Sequence, residues 1–98
     1  MFNIIARKTL LEYCKKYPEA KTSLLSWYHE LEKSEFKSIN ELRRTFPDVS
    51  IIGDNRIIFN IKGNTYRLIV KVNYDYQMIW IRFIGTHAQY DKIDATKI

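Results

Sequence analysis

In the first half of the chain, apolar residues recur every three to four positions, a spacing that predicts amphipathic helices. It predicts helices over Lys8–Tyr17, Glu19–Lys33 and Ser38–Phe46. Pro18 separates the first two, and Ser38 with Glu41 forms a capping-box pattern at the start of the third. Before them, the apolar stretch Phe2–Ala6 predicts a short strand or an extended arm.

Beyond Pro47 the period changes, and apolar residues alternate with polar ones as they do in strands. The alternation predicts strands at Val49–Ile52, Arg56–Lys62, Thr65–Asn73 and Gln77–Gly85. The turn signals between them are Gly53-Asp54-Asn55, the two-residue hairpin signal Gly63-Asn64, and Asp75. Helices followed by an antiparallel meander predict an α+β fold, in which the helices pack on one face of a small antiparallel sheet.

The same alternation predicts which side chains point away from the helices. If the apolar faces of the strands, with Phe83 among them, pack on the helices, the opposite face carries the cations Lys62, Arg67, Lys71 and Arg82. Their neighbours on that face are Trp80, Ile58, Ile69 and Ile84. Cations interleaved with an aromatic side chain suit a nucleic-acid backbone with a base stacked beside it. The alternative is that the C-terminal tail covers Trp80 and the cations form ordinary surface pairs.

Composition narrows the class of protein. The chain has 98 residues, one cysteine and a net charge of +5. We expect a single domain over residues 1–98, located in the cytoplasm, because the chain has neither a cysteine pair nor a signal or membrane segment. The positive charge favours a polyanionic partner. We expect neither a metal nor another cofactor, because His29 and His87 lack metal-site spacing, and we expect Cys14 to be a buried hydrophobe.

The segment "RFIGTHAQYDKI", Arg82–Ile93, carries the candidate chemistry. Gly85 allows a sharp exit from the last strand, and Thr86 is placed to cap a short helix in which His87 and Tyr90 are neighbours. Arginines, a histidine and a phenol meet the needs of metal-free RNA cleavage: a proton acceptor, a proton donor and cations for the charge on the phosphate. The alternative is a surface histidine beside a helix cap, with the tyrosine packed on Trp80 or Phe83.

Two segments together resemble the HigB family of bacterial toxins, within the RelE/ParE-like superfamily. They are "GNTYRLIVKV" at Gly63–Val72 and "IRFIGTHAQYDKID" at Ile81–Asp94, and "LRRTFPDV" at Leu42–Val49 extends the resemblance along the chain. The resemblance implies a RelE-like fold and the toxin of a type II toxin–antitoxin system. It implies a messenger RNA endonuclease that acts on translating ribosomes, inhibits translation and is neutralised by a HigA-type helix-turn-helix antitoxin.

Residue by residue, the resemblance implies that Arg67, in the "YRL" strand, binds the scissile phosphate. His87 and Tyr90, in "THxxY", are implied to be the acid–base pair, and Asp91 either orients His87 or caps the helix. Strand alternation adds Arg82 as a second cation at the phosphate. The side chains we expect to contact RNA around these groups are Lys62, Lys71, Trp80 and Asp91. Two alternatives stay open: a gyrase-inhibiting toxin of the ParE type and a non-catalytic RNA- or ribosome-binding module.

Overall fold

The computed structural model describes residues 1–53, 55–63 and 65–98, so the turn predictions at Asp54 and Asn64 lie outside the described residues. The helices are α1 (Arg7–Lys16), α2 (Lys21–Lys33), α3 (Ile39–Thr45) and α4 (His87–Tyr90), with a 3-10 turn at Pro18–Ala20 before α2. The strands are β1 (Asn3–Ile5), β2 (Ser50–Ile51), β3 (Arg56–Ile61), β4 (Tyr66–Asn73) and β5 (Met78–Thr86). The α+β class and the short C-terminal helix are confirmed.

The start of α3 follows the predicted capping pattern in part. The Ser38 hydroxyl accepts a hydrogen bond from the backbone amide of Glu41 at 3.4 Å, as expected of an N-cap residue. The Glu41 carboxylate accepts from the backbone amide of Lys37 at 2.9 Å, one residue earlier than a capping box requires. The cap is therefore present, and its return bond is displaced by one residue.

The sheet has the strand order β1-β5-β4-β3-β2. Strands β2 to β5 form the predicted antiparallel meander. The prediction of a wholly antiparallel sheet was wrong at one edge, where β1 runs parallel to β5 with Ile4 opposite Ile79. Phe2 and Ile4 are buried, at 3% and 6% exposed, so this edge strand is fixed by burial of its apolar side chains.

The helices cover one face of the sheet, as predicted. Four leucines from the helices are fully buried against strand residues such as Leu68 and Val70: Leu10, Leu24, Leu31 and Leu42. Phe59 on β3 meets the rings of Trp27 and Phe46 edge-on, with centroids 5.4 and 5.1 Å apart. Among the described residues, none of the helices combines the length and the apolar character needed to cross a bilayer.

A β-bulge in β5 changes the faces predicted for its second half. The register with β4 passes from Val70–Ile81 directly to Ile69–Phe83, so that Arg82 is the extra residue. Because an extra residue reverses the alternation, Phe83 points away from the helices and Ile84 packs on the core. The predicted faces of Phe83 and Ile84 were therefore wrong.

The face away from the helices, called the outer face below, is partly covered as well. Ile58 and Ile69 lie on it and are only 2% and 0% exposed. The C-terminal segment returns to this face, where the carbonyl oxygen of Ile98 accepts a hydrogen bond from Nε of Arg56 at 2.8 Å. Arg56 lies opposite Lys71, next to Trp80 in the register, so the tail reaches this region of the sheet.

Candidate active site

Arg67 occupies the end of the outer face nearest to α4. In the register it lies opposite Asn60 on β3 and Gly85 on β5, and its side chain is half-buried. Directly paired residues of neighbouring strands point to the same face. Because position 85 carries no side chain, the guanidinium of Arg67 has a neighbour on only one flanking strand at this position.

Helix α4 is held across the end of the sheet by a complete capping box. The Thr86 hydroxyl accepts from the backbone amide of Gln89 at 3.2 Å, and the Gln89 side chain accepts from the amide of Thr86 at 2.9 Å. The amide of His87 also donates to the carbonyl oxygen of Thr65, just before β4, at 3.2 Å. The prediction that Thr86 caps a short helix is confirmed.

Gly85 has a different role from the predicted one. Strand β5 continues through it to Thr86, so the prediction of a sharp exit at this glycine was wrong. A Cβ at position 85 would lie 2.5 Å from Cζ of Phe83 and 2.8 Å from Oε1 of Gln89. The glycine therefore makes room for the Phe83 ring beside Arg67 and for the capping side chain of Gln89.

Four of the predicted site residues lie together where β4 meets α4. The guanidinium carbon of Arg67 is 4.9 Å from the centre of the Tyr90 ring, a cation–π arrangement. The rings of Tyr90 and His87 have centroids 6.4 Å apart and planes inclined at 62°. Nδ1 of His87 lies 3.2 Å from Oδ2 of Asp91. The predicted proximity of His87 and Tyr90 is confirmed, and Tyr90 packs beside Arg67.

This arrangement has the groups that proton transfer at a phosphate requires. A carboxylate at Nδ1 of His87 orients the imidazole and leaves Nε2 as the ring nitrogen for exchange with a substrate. The His87 side chain is 45% exposed, so a polynucleotide can reach it. Arg67 supplies a planar cation suited to a phosphate, and Tyr90 supplies a phenolic hydroxyl beside it.

The other predicted site residues lie farther out. Lys71 and Trp80 face each other across β4 and β5, two residues along β4 from Arg67, which is roughly 7 Å. Lys62 lies in the exposed turn after β3 with a φ of 53°, so its predicted place in the outer row of that strand was wrong. Arg82 is the exposed extra residue of the bulge.

The remaining chemically interesting residues lie elsewhere. His29 is exposed on α2, with its ring 5.8 Å from that of Tyr28. Cys14 is 5% exposed, as predicted for a buried hydrophobe, and burial raises the pKa of its thiol. Within residues 1–53, 55–63 and 65–98, no three histidine, cysteine, aspartate or glutamate side chains are grouped so as to hold a metal ion.

Sequence reasoning missed two residues that shape the site. Gln89 completes the capping box of α4, and the pattern Thr-x-x-Gln at Thr86–Gln89 was a sequence signal for it. Phe83 lies beside Gly85 on the outer face because of the bulge at Arg82. A bulge has no reliable mark in a single sequence, so strand alternation alone assigns Phe83 to the wrong face.

Comparison with known proteins agrees with the features of this site. Residues 20–93 match the family model for the HigB toxin, described as a RelE-like toxic component of a toxin–antitoxin system. The mRNA interferase toxin HigB of Escherichia coli strain K12 is 32% identical over 95 residues, covering 95% of this chain and 91% of that protein. The mRNA interferase HigB of Shigella flexneri gives the same values. The mRNA interferase HigB of Escherichia coli O6:H1 is 27% identical over 93 residues, covering 93% and 90%. The chain therefore belongs to the HigB toxin family.

Proposed function

We propose that this toxin is a messenger RNA endonuclease that inhibits translation, and that it cleaves messages held by the ribosome. The observation that carries the proposal is the contact chain from Arg67 through Tyr90 and His87 to Asp91. It is supported by the names of the relatives, which are mRNA interferases. We further propose that residues 1–98 act as one domain in the cytoplasm.

In the proposed reaction, the 2′-oxygen of a ribose attacks the adjacent phosphorus in line with the 5′-oxygen that leaves. A base takes the proton from the 2′-hydroxyl, and an acid gives a proton to the 5′-oxygen, leaving a 2′,3′-cyclic phosphate and a 5′-hydroxyl. His87 and Tyr90 share these two proton transfers, and Asp91 positions the imidazole. Arg67 stabilises the negative charge that builds on the phosphate oxygens.

The remaining predicted residues are proposed to act on the RNA around the scissile phosphate. Lys71 and Trp80 would contact the strand where it continues along the outer face, the lysine at a phosphate and the tryptophan at a base. Lys62 and Arg82 are exposed at two other points around the sheet, and they would contact phosphates more distant from the cleaved bond. The chemistry needs no cofactor, since the protein groups supply both proton transfers and the cation.

The ribosome enters the proposal for a physical reason. In-line attack needs the 2′-oxygen, the phosphorus and the 5′-oxygen nearly collinear, and a flexible single strand seldom adopts that geometry. A surface as small as the one around Arg67 can bind a strand, whereas the ribosome can hold it bent. We therefore propose weak cleavage of free RNA and efficient cleavage of translated messages.

The partner follows from the family. A toxin–antitoxin system includes an antitoxin that neutralises the toxin, and we propose that here it is a HigA-type protein with a helix-turn-helix domain. Co-expression with the neighbouring gene tests this directly. Growth should recover, and the two proteins should co-purify. Toxicity that persists in the presence of that gene product would contradict this part of the proposal.

The test of the nuclease is growth after induced expression, with primer extension on a reporter message. Wild type should stop growth and leave discrete message ends within translated codons. Arg67→Ala and His87→Gln should do neither while remaining folded. The matched controls are Arg44→Ala and His29→Gln, which remove an exposed arginine and an exposed histidine on α3 and α2.

Two other outcomes would lead to different conclusions. Growth arrest with intact messages and an unchanged effect of His87→Gln would contradict the nuclease and favour a toxin that inhibits gyrase. No growth arrest at all would favour a module that only binds RNA or the ribosome. The control variants must behave as wild type for any of these conclusions to be drawn.

A further inference from the structure

A second surface lies beside the candidate active site. It is a groove of about 460 Å³ between the end of α1, the second half of β5 and the residues around α4. Strand β1 pairs only with Met78–Trp80, so the groove runs alongside the part of β5 beyond that pairing. The side chains that give it chemical character are those of Tyr13, Lys16, Tyr17, Phe83 and Lys92.

The groove combines cations with aromatic rings. Lys16 and Lys92 are exposed, and Nζ of Lys16 lies 5.7 Å from the centre of the Tyr17 ring. The rings of Tyr13 and Tyr17 have centroids 4.7 Å apart, so they form a small aromatic wall. Aromatic faces with flanking cations bind single-stranded nucleic acid, because bases stack on the rings while the cations hold phosphates.

The groove is continuous with the active site through Phe83. This side chain lines the groove, and Cζ of its ring lies 2.5 Å from where a Cβ of residue 85 would be. Gly85 is directly opposite Arg67 in the register. Gln89 also lines the groove, and it belongs to the same short helix as His87. A strand whose phosphate lies at Arg67 therefore passes next to Phe83 when it continues in this direction.

We propose that this groove binds the nucleotide next to the scissile phosphate, with Phe83 and Tyr17 contacting its base and Lys16 and Lys92 contacting its phosphate. The proposal extends the nuclease function and rests on it. The nearby carboxylate of Glu19 accepts a hydrogen bond from the Tyr66 hydroxyl at 2.9 Å and is not among the groove-lining residues. The groove's own charged side chains are thus the two lysines, which favour a phosphate.

The test uses a fluorescent single-stranded RNA of about eight nucleotides, within the site sizes typical of such proteins. Binding is measured by anisotropy at several salt concentrations, with His87→Gln in every protein so that the RNA stays intact. Lys16→Gln with Lys92→Gln should weaken binding about tenfold and reduce the salt slope by about 1.4, at roughly 0.7 per lost phosphate contact. Phe83→Leu, which keeps an apolar side chain without a ring, should weaken binding about fivefold with little change in the slope.

The matched control is Lys8→Gln with Lys33→Gln. It removes the same charge from exposed lysines that lie near Glu12 and Glu30. An equal loss of affinity in the control and the groove variant would overturn the proposal, since net charge alone would then explain it. Unchanged affinity in the groove variant would also overturn it, and would leave an acidic protein segment as the occupant of the groove.

Failure of this inference is distinguishable from failure of the nuclease. Wild type is assayed in parallel for message cleavage in a translation reaction. Cleavage by wild type together with no binding of the oligonucleotide, or with no effect of the groove substitutions, would overturn the groove alone. No cleavage by wild type would overturn the nuclease function as well.

Discussion

The guanidinium of Arg67 lies against the ring of Tyr90, with 4.9 Å between its central carbon and the ring centre. Arg67 belongs to β4 and Tyr90 to α4, so the contact joins the sheet to the short helix that carries His87. A guanidinium stacked on a ring keeps its edge free to donate hydrogen bonds to a phosphate. The tyrosine can thus contribute twice, through its ring by holding the arginine and through its hydroxyl by exchanging a proton.

Two substitutions of Tyr90 separate these contributions. Tyr90→Phe keeps the ring against Arg67 and removes the hydroxyl, so RNA affinity should be retained while cleavage falls by about 10² or more. Tyr90→Leu removes both, so affinity should fall as well. The measurements are cleavage rates in a translation reaction and anisotropy with a labelled RNA. Full cleavage by Tyr90→Phe would show that the hydroxyl takes no part in proton transfer.

Gly85→Ala should destabilise the protein although it adds one methyl group. The new Cβ would approach Phe83 and Gln89 to within 2.5 and 2.8 Å, so one of these side chains must move. Overpacking of this kind costs about 1–3 kcal/mol in the free energy of unfolding, measured by urea denaturation. Adding Phe83→Ala should recover part of the loss, because it removes the closer of the two contacts. Strictly additive effects of the two substitutions would contradict this packing.

Much of this fold follows from hydrophobic periodicity. Helical spacing placed α1 to α3 within one or two residues, and alternation placed β3 and β4, because each of these elements has one apolar face against a single core. The parallel pairing of β1 was not predictable in this way. A three-residue strand holds no information about its partner, which is chosen by the packing of the whole chain.

The candidate site was predictable where its residues are close in sequence. Thr86, His87, Tyr90 and Asp91 fall within one capped helical turn, so local spacing determines their proximity. Arg67 was placed correctly because β4 alternates without interruption. Beyond the bulge of β5, alternation fails, because an extra residue at Arg82 exchanges the faces of the strand. The roles of Lys62, Lys71 and Trp80 stay predictions.

The cap of α4 should matter more for activity than for global stability. Thr86→Ala removes the acceptor for the amide of Gln89, a change worth about 1 kcal/mol in typical helices. Since α4 is a single turn at the end of the sheet, the loss should appear as local opening. Hydrogen exchange at the Gln89 amide should accelerate and cleavage should fall. Thr86→Ser, which keeps the hydroxyl, is the control and should resemble wild type in both assays.

Alkaline pH should destabilise the protein partly through Tyr13. Burial, followed by the neighbouring Tyr17, Tyr66 and Glu19, raises the pKa of Tyr13 from 10.0 to about 12. Because the folded state prefers the protonated phenol, this contribution to stability is complete below pH 10 and is lost as the pH rises towards 12. The free energy of unfolding should therefore decrease over this interval.

The substitution Tyr13→Phe tests that assignment. It should make the decrease in the free energy of unfolding between pH 10 and pH 12 smaller, as measured by urea denaturation at each pH. Part of the decrease should remain, because burial also raises the pKa of Tyr66 and Tyr74. Tyr76→Phe, which removes an exposed hydroxyl, is the matched control. An unchanged pH dependence in Tyr13→Phe would show that its hydroxyl is solvated in the folded protein.

Replacing the leaving oxygen of the RNA by sulfur should identify which residue is the acid. A 5′-bridging sulfur departs without a proton, so a variant that lacks only the general acid recovers cleavage on such a substrate, whereas one that lacks the base does not. We expect recovery by one of His87→Gln and Tyr90→Phe and by neither Arg67→Ala nor the second variant of the pair. Single-turnover rates on the oxygen and sulfur substrates, presented on the ribosome, give the comparison. Recovery by both variants, or by neither, would contradict a shared acid–base pair, and recovery by Arg67→Ala would mean that the arginine acts mainly on the leaving group.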